Sequence, residues 1–228
     1  MERYLICSDL SKKENEESNI LSEDDSRLFY ICGDINTKTC ASIARNIVAI
    51  NLEDDKHDQK EKNYKREPIR IHISSYGGTI YAMWLLIDVM ETSKTPVWTY
   101  CNGYCMSAAF LIFIAGHRRF VNRHATLMYH QYSGWNMGKY QDMVDDREHD
   151  DYLNTQMEEY VQERTKLISE ELEQIRLKKK DRYFTAKEAL QFGIADEILG
   201  AKAGKADDEP KKGKAKVKKT AKNEQPGN

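Results

Sequence analysis

Two segments of this chain share one order: a strand-like run, a glycine turn and then an apolar helical run. The first is "PIRIHISSYGG" followed by "TIYAMWLLIDVMETS", and the second is "TPVWTYCNG" followed by "SAAFLIFIAG". The alternating Ile69, Ile71 and Ile73 are typical of a strand that buries one face. A repeated order of strand, turn and helix is the pattern of a layered domain, so it predicts the α/β fold class.

The rest of the pattern adds further elements to this domain. "RLFYICGDI" predicts a strand from Arg27 to Ile35, and "TKTCASIARNIVAINLE" predicts a helix followed by a charged surface loop over residues 54–67. Residues 139–180 have a charged, helical composition, which predicts one long projecting helix. Its apolar positions are spaced like a stripe that another subunit would cover; they are Met143, Tyr152, Leu153, Met157 and Tyr160.

The length and composition favour one folded domain with a segment at each end. A chain of 228 residues with 40% hydrophobic residues can bury one sizeable core. We expect the domain to span residues 27–200. Residues 1–26 are acidic and rich in serine, and we expect them to be mobile or to order only against a partner. Residues 201–228 are rich in lysine and cannot bury a core, which predicts a disordered tail.

The charge distribution argues against nucleic-acid binding. Residues 201–228 carry a net charge of +5, which leaves −7 on residues 1–200 and no basic face on the domain. No stretch reaches the ~20 apolar residues of a membrane span or resembles a secretory signal. We therefore expect a soluble, cytoplasmic protein without a membrane partner.

The cysteines predict neither a disulfide framework nor a metal site. The chain has five of them, an odd number, and they form no Cys-x-x-Cys pair. That usage suits reduced thiols that serve as small hydrophobic side chains. We expect no metal and no cofactor.

Two glycine turns are candidate positions for catalytic chemistry. At Gly77 and Gly78 the backbone could bend and point amide N–H groups at a developing oxyanion, although glycine pairs also mark ordinary turns. Ser107 follows Gly103 and opens an apolar helix. Its hydroxyl is either a plain helix cap or a nucleophile held at a helix N-terminus.

A histidine and an aspartate are the candidate partners of that serine. His130 ends the apolar strand "ATLMYH", where it is a candidate general base or a structural histidine. Asp181 precedes the strand-like "RYF" and a capping sequence with Thr185 as the N-cap and Glu188 three residues later. An acid in this position is a solvated charge unless a histidine lies beside it.

Four segments, in this order, resemble the proteolytic subunit of the Clp protease, a self-compartmentalised serine peptidase with the Clp/crotonase-like fold. They are "SYGGTIYA", "GYCMSAAFLIFIAG", "LMYHQ" and "DRYFTAKEALQFGIADEI". The resemblance runs from about Arg27 to Leu199. It implies Ser107 as nucleophile, His130 as general base and Asp181 as the acid that orients the histidine. It also implies an oxyanion hole formed by the N–H groups of Gly78 and Ala108.

The resemblance further implies an assembly. Members of the family form rings that enclose the active sites, an AAA+ unfoldase feeds them unfolded protein or peptide, and residues 139–175 correspond to the handle that joins two rings. Three residues depart from the family's usual pattern. Tyr76 and Tyr132 stand where prolines are common, and Ala108 stands where methionine is common.

Three other functions remain open. The chain could be a peptidase of a phage or mobile element that cuts capsid or scaffold protein without an ATPase. It could be an acyl-CoA enzyme of the crotonase-like fold, or an inactive structural subunit of a mixed ring. The complete set of serine, histidine and aspartate argues against the last two.

Overall fold

The computed structural model describes residues 26–134, 137–178 and 180–200. The predicted disordered tail and residues 1–25 of the N-terminal segment lie outside the described residues. The described strands are β1 Leu28–Cys32, β2 Ile69–Ser75, β3 Val97–Met106, β4 Arg118–Asn122, β5 Thr126–Tyr129, β6 Arg182–Thr185 and β7 Glu197–Leu199. The described helices are α1 Thr37–Lys60, α2 Ile80–Glu91, α3 Ala108–Ile114, α4 Tyr140–Arg164, α5 Ser169–Lys178 and α6 Ala186–Gln191.

The strands form one sheet that is mostly parallel. Its main path runs β1-β2-β3-β4-β7, and all neighbours along that path are parallel. The first half of β3 pairs with β4, whereas its second half pairs with β5, and Gly103 with a φ of 84° lies between the two halves. β6 joins β5 in the antiparallel direction. This α/β architecture confirms the predicted fold class and is consistent with the Clp/crotonase-like fold.

The core lies between this sheet and the helices that pack on it. In β2 the alternating Ile69, Ile71 and Ile73 are fully buried, as their spacing predicts. Every residue of α3, from Ala108 to Ile114, is buried. A helix that is apolar on all sides is stable only inside a core, so the run "AAFLIFI" determines where α3 lies. In the described ranges no helix has both the length and the apolar composition of a membrane span.

The predicted loop over residues 54–67 is partly wrong, because α1 continues to Lys60. The side chain of Asp54 is fully buried and faces the interior. Its carboxylate accepts hydrogen bonds from Arg27 at 2.5 and 3.0 Å, from Tyr64 at 2.6 Å and from Thr95 at 2.6 Å. A charged segment can remain helical when the carboxylate that it buries is hydrogen-bonded, as that of Asp54 is here. These partners are distant in sequence, so local composition did not indicate them.

The single long helix predicted over residues 139–180 is two helices, α4 and α5. The break begins at Thr165, whose backbone is extended with a φ of −136° and a ψ of −177°. The hydroxyl of Thr165 donates to the carbonyl of Val161 at 2.7 Å and accepts from the amide of Leu167 at 3.2 Å. Leu167 is buried between the two helices, so packing of this connection ends the first helix.

The apolar stripe of α4 is mostly covered by the chain's own core. Leu153, Met157 and Tyr160 are buried, and the Tyr160 hydroxyl donates to Glu91 at 2.9 Å. The prediction that another subunit covers these three residues is therefore wrong. Met143 and Tyr152 remain 45% and 59% exposed. The N-terminal half of α4 is the exposed part, and its C-terminal half is anchored in the core.

Candidate active site

Ser107 occupies a strained turn between the end of β3 and the start of α3. Its φ is 54°, and among the described residues it is the one non-glycine residue with a positive φ. Such a conformation costs about 1–3 kcal/mol and persists only where the surroundings impose it. Its N–H donates to the carbonyl of Met128 in β5 at 2.9 Å, which helps to hold the turn. The side chain makes no capping bond, so the interpretation of Ser107 as a plain helix cap is not supported.

His130 is brought to Ser107 by the pairing of β3 with β5. The last paired residues of the two strands are Met106 and Met128. Ser107 follows the first, and His130 lies two residues beyond the second. The Nε2 atom of His130 lies 2.7 Å from the Oγ atom of Ser107, within hydrogen-bond distance.

The surroundings of His130 favour its neutral form. Burial lowers the pKa of His130 below its usual value, while the charge of Asp181 acts in the opposite direction and raises it. A neutral imidazole can accept a proton from the serine hydroxyl, whereas an imidazolium cannot. The lowered pKa therefore keeps His130 in the form that a general base requires at neutral pH.

Asp181 approaches the other side of the histidine through the antiparallel pairing of β5 with β6. Tyr129 at the end of β5 is opposite Arg182 at the start of β6. His130 follows the first and Asp181 precedes the second, so continuing the antiparallel register places the two side by side. The Oδ1 atom of Asp181 lies 4.0 Å from the Nδ1 atom of His130. That separation is within ion-pair range and longer than a hydrogen bond. The predicted capping pair of Thr185 and Glu188 is confirmed at the start of α6.

Gly77 and Gly78 pack directly against the Ser107 turn and the segment before α1. A Cβ atom on Gly77 would lie 2.7 Å from the Cβ of Ser107, and one on Gly78 would lie 2.2 Å from the carbonyl oxygen of Ile35. Gly78 forms an isolated bridge with Ile35, and the two bonds of this bridge involve the carbonyl of Gly77 and the N–H of Thr79. The N–H of Gly78 is therefore not used in the bridge.

Ala108 supplies a second amide beside the serine. It is the first residue of α3, and amides of a first helical turn have no partner inside the helix. The nitrogen of Ala108 lies 3.1 Å from the position that a Cβ on Gly77 would occupy. The amides of Gly78 and Ala108 thus come from the two backbone segments that meet at Ser107. An arrangement of this kind can stabilise negative charge on an oxygen atom bound near the serine.

A second histidine of the sheet, His72, lies in an environment that does not suit a base. Its ring is stacked on those of Tyr30 and Tyr100, with centroid separations of 5.2 and 4.4 Å. Burial lowers the pKa of His72 to about 4, the charge of Arg70 adds to this effect, and a hydrogen bond with Asn102 opposes it. His72 is a packed part of the sheet surface, and its Nδ1 atom hydrogen-bonds with Asn102 at 2.8 Å.

Sequence reasoning did not identify Asn154, which contacts the segment that follows His130. Its Oδ1 atom accepts a hydrogen bond from the N–H of Tyr132 at 2.7 Å. An asparagine in a charged helix gives no local sign of such a role. The one available signal was Tyr132, because a residue that replaces a proline has an N–H that needs a partner.

No metal site accompanies these residues in the part of the chain that the structure describes. There, no three histidine, cysteine, aspartate or glutamate side chains form a group that could hold a metal ion. The expectation of a site without metal or cofactor stays a prediction.

The fold and the site define an α/β protein in which a serine and a histidine lie within hydrogen-bond distance at a strand-to-helix turn. The family model of the Clp protease matches residues 12–202, and the chain belongs to this family. It is similar to the ATP-dependent Clp protease proteolytic subunit 4 of Rhodococcus jostii (strain RHA1), with 29% identity over 171 residues. That match covers 73% of this chain and 83% of the relative. These comparisons confirm the family resemblance and support a Clp-type peptidase.

Proposed function

We propose that the protein is a serine endopeptidase in which Ser107 is the nucleophile and His130 the general base. The observation that carries the proposal is the 2.7 Å contact between His130 Nε2 and Ser107 Oγ at a strained strand-to-helix turn. A hydroxyl is a weak nucleophile unless a base accepts its proton as it attacks. The lowered pKa of His130 supports this role, because it keeps the imidazole neutral at the pH of the cell.

The reaction follows from these assignments. Ser107 Oγ attacks the carbonyl carbon of a peptide bond while His130 Nε2 takes the hydroxyl proton. The resulting tetrahedral intermediate collapses, the C–N bond breaks, and His130 returns the proton to the leaving amine. Water then attacks the acyl-enzyme with His130 again as base, which releases the acid product and restores the serine.

The N–H groups of Gly78 and Ala108 would stabilise the oxyanion of the intermediate. Both amides lie on backbone that adjoins Ser107, and the missing side chains of the glycine pair allow that close approach. Loss of one donor from such a site typically slows turnover by about 10²–10³-fold. These hydrogen bonds become stronger as negative charge develops on the carbonyl oxygen. An interaction that is stronger in the transition state than with the bound substrate accelerates the chemical step.

Asp181 is proposed as the residue that orients His130 and stabilises its positive charge. Its carboxylate faces Nδ1 at 4.0 Å and raises the pKa of the imidazole by its charge. The side chain of Asp181 is 49% exposed, so water weakens this interaction. We therefore assign Asp181 a smaller share of the rate than a buried, hydrogen-bonded acid would have.

The proposal includes assembly into rings that enclose the active sites, with unfolded protein or peptide as substrate and an AAA+ unfoldase as partner. Family membership supports the assembly, and the relative's name, which includes "ATP-dependent", supports the partner. A cytoplasmic setting is supported by the free thiols of Cys40, Cys101 and Cys105, which suit a reducing compartment.

Labelling with a fluorophosphonate tests the central assignment. The probe reacts with an activated serine, so peptide mapping should place the label on Ser107, and Ser107→Ala should abolish it. Ser93→Ala is the control, because Ser93 lies beyond the other end of α2 and its hydroxyl donates to the carbonyl of Thr95 at 2.7 Å, away from the glycine pair and from His130. Labelling that persists in Ser107→Ala would refute the assignment.

A further inference from the structure

The segment that carries His130 leaves the sheet at that residue. β5 ends at Tyr129, and residues 130–134 have no regular secondary structure. Strand pairing therefore does not hold this backbone. Within the described part of the chain, the hydrogen bond that ties the backbone of residues 130–134 to another element is the one from Tyr132 N–H to Asn154 Oδ1, at 2.7 Å.

Asn154 is itself held in a fixed orientation on α4. Its Nδ2 atom donates to the carbonyl of Asp150 at 2.9 Å, which leaves Oδ1 to face Tyr132. The neighbouring Leu153 is 3% exposed and Met157 is 4% exposed, so this turn of α4 is packed into the core. The anchor for the segment is thus a rigid part of the molecule.

We propose that Asn154 is a positioning residue that holds His130 within reach of Ser107. The inference rests on the proposed peptidase function. Tyr132 is two residues from His130, so a shift of its backbone changes where the imidazole lies. A misplacement of about 1 Å in a catalytic group can slow a reaction by about 10²-fold.

The pairing also accounts for the tyrosine in this position. A proline, which is common here in the family, has no N–H and needs no acceptor. Tyr132 is half-buried and keeps its N–H, and an amide left unpaired in such a position is costly. Asn154 supplies the missing acceptor, and the same bond connects the histidine segment to α4.

Asn154→Ala, with Thr155→Ala as control, tests the proposal. Thr155 is the adjacent residue and donates to the carbonyl of Asp151 at 3.0 Å, so it makes the same type of bond along α4 but makes no contact with the histidine segment in the described structure. We expect Asn154→Ala to lower kcat and the rate of fluorophosphonate labelling by about 10- to 100-fold, with KM changed less than about twofold. Thr155→Ala should leave both rates within about twofold, and both variants should keep the wild-type oligomer mass.

A double-variant experiment separates positioning from a general structural effect. Tyr132→Pro removes the N–H, so Asn154→Ala should cause no further loss of rate in that background. Asn154→Asp keeps an acceptor oxygen and should recover most of the rate in the Tyr132 background. If Tyr132→Pro does not fold, the comparison of Asn154→Asp with Asn154→Ala decides the question alone.

The outcomes distinguish this inference from the proposed function. Absence of labelling at Ser107 in the wild-type protein would refute the peptidase proposal itself. If the wild-type protein is labelled and Asn154→Ala reacts as fast as Thr155→Ala, only the positioning role is refuted. The positioning role is also refuted if Asn154→Ala lowers the rate by the same factor in the Tyr132→Pro background as in the wild-type protein.

Discussion

Ser107 keeps its unusual backbone because its neighbours lack side chains at the points of contact. Gly77 has a φ of 114° and lies against both Ser107 and the carbonyl of Met106. A residue with a side chain at position 77 would have a strained backbone, and its Cβ atom would also clash with Ser107 and with the carbonyl of Met106. The two glycines after β2 are therefore part of the site that the serine requires, as well as a turn.

We predict that Gly77→Ala strongly lowers the peptidase activity. Its Cβ would lie 2.7 Å from Ser107 Cβ and 2.9 Å from the carbonyl oxygen of Met106, so the serine turn would have to move. We expect a loss of at least about 10²-fold in turnover of a fluorogenic peptide. Gly33→Ala is the matched control, because Gly33 has a φ of 93° and an added Cβ meets nothing within 4 Å. It should cost only about 1–2 kcal/mol of backbone strain and retain activity.

We predict that Asp181→Asn slows turnover by about 10- to 10³-fold, less than the ~10⁴-fold loss known for a buried, hydrogen-bonded acid. The 4.0 Å separation and the 49% exposure are the reason for the smaller effect. Asp88→Asn, the same chemical change at an exposed position on α2, should alter turnover by less than about threefold. Equal activity of the two variants would refute the role of Asp181.

The pH profile gives a second test of Asp181. Its charge raises the pKa of His130, so its removal should lower that pKa further. The acid limb of kcat/KM should then move to lower pH in Asp181→Asn, even though the maximum rate falls. In the wild-type protein the same limb should lie below the ordinary histidine pKa of about 6.5, because burial lowers it.

At the scale of elements, the buried carboxylate of Asp54 holds the end of α1 against the edge of the domain. It connects α1 to Arg27 before β1, to Tyr64 in the following loop and to Thr95 before β3. Arg66 extends the contact by pairing with Asp55 and Asp58 on the same helix. The helix and the long loop therefore form one unit.

We predict that Asp54→Ala lowers the free energy of unfolding by about 3–5 kcal/mol, because it removes the carboxylate partner of the Arg27 guanidinium. Burial by itself would raise the pKa of Asp54, and hydrogen bonds from Arg27, Thr95 and Tyr64 lower it to about 2. This contribution is therefore present above pH ~4 and is lost as the pH falls towards 2. Thermal melts from pH 7 to pH 2 should show it, with a flatter acid profile for Asp54→Ala.

At the scale of the whole molecule, an exposed apolar pair on α1 marks a surface that assembly would cover. Val48 and Leu52 are 49% and 58% exposed and lie four residues apart on one face of the helix. An exposed apolar face on a helix can bury against another subunit, so this pair is the part of α1 that we expect an assembly to cover. The stripe on α4 gives less support, since three of its residues are already buried.

We predict that light scattering shows about six subunits or more, because membership of the Clp protease family supports assembly into rings. Leu52→Glu should lower the mass, because it places a charge in the surface that we expect to be covered. Leu177→Glu is the control, a leucine on α5 with a similar 65% exposure. A monomeric wild-type protein at micromolar concentration would contradict the ring, and an unchanged mass for Leu52→Glu would exclude this surface of α1.

Sequence patterns alone determined the class of this fold and the local setting of the serine. Alternating isoleucines identify β2, and the run "AAFLIFI" after a glycine turn predicts a buried helix with Ser107 at its start, as the structure has it. The continuation of α1 and the break after α4 were not predictable, because each depends on partners elsewhere in the chain. Asp54 needs Arg27, and the break after Arg164 needs the packing of Leu167.

Only the tertiary structure brought the candidate catalytic residues together. His130 is 23 residues from Ser107 along the chain, and Asp181, which immediately precedes β6, is a further 51 residues away. Their meeting depends on the parallel register of β3 with β5 and the antiparallel register of β5 with β6. Register is a property of hydrogen bonds between strands, and the pattern within one strand specifies only which face is buried. For that reason the sequence identified the groups, while strand pairing decided their distances.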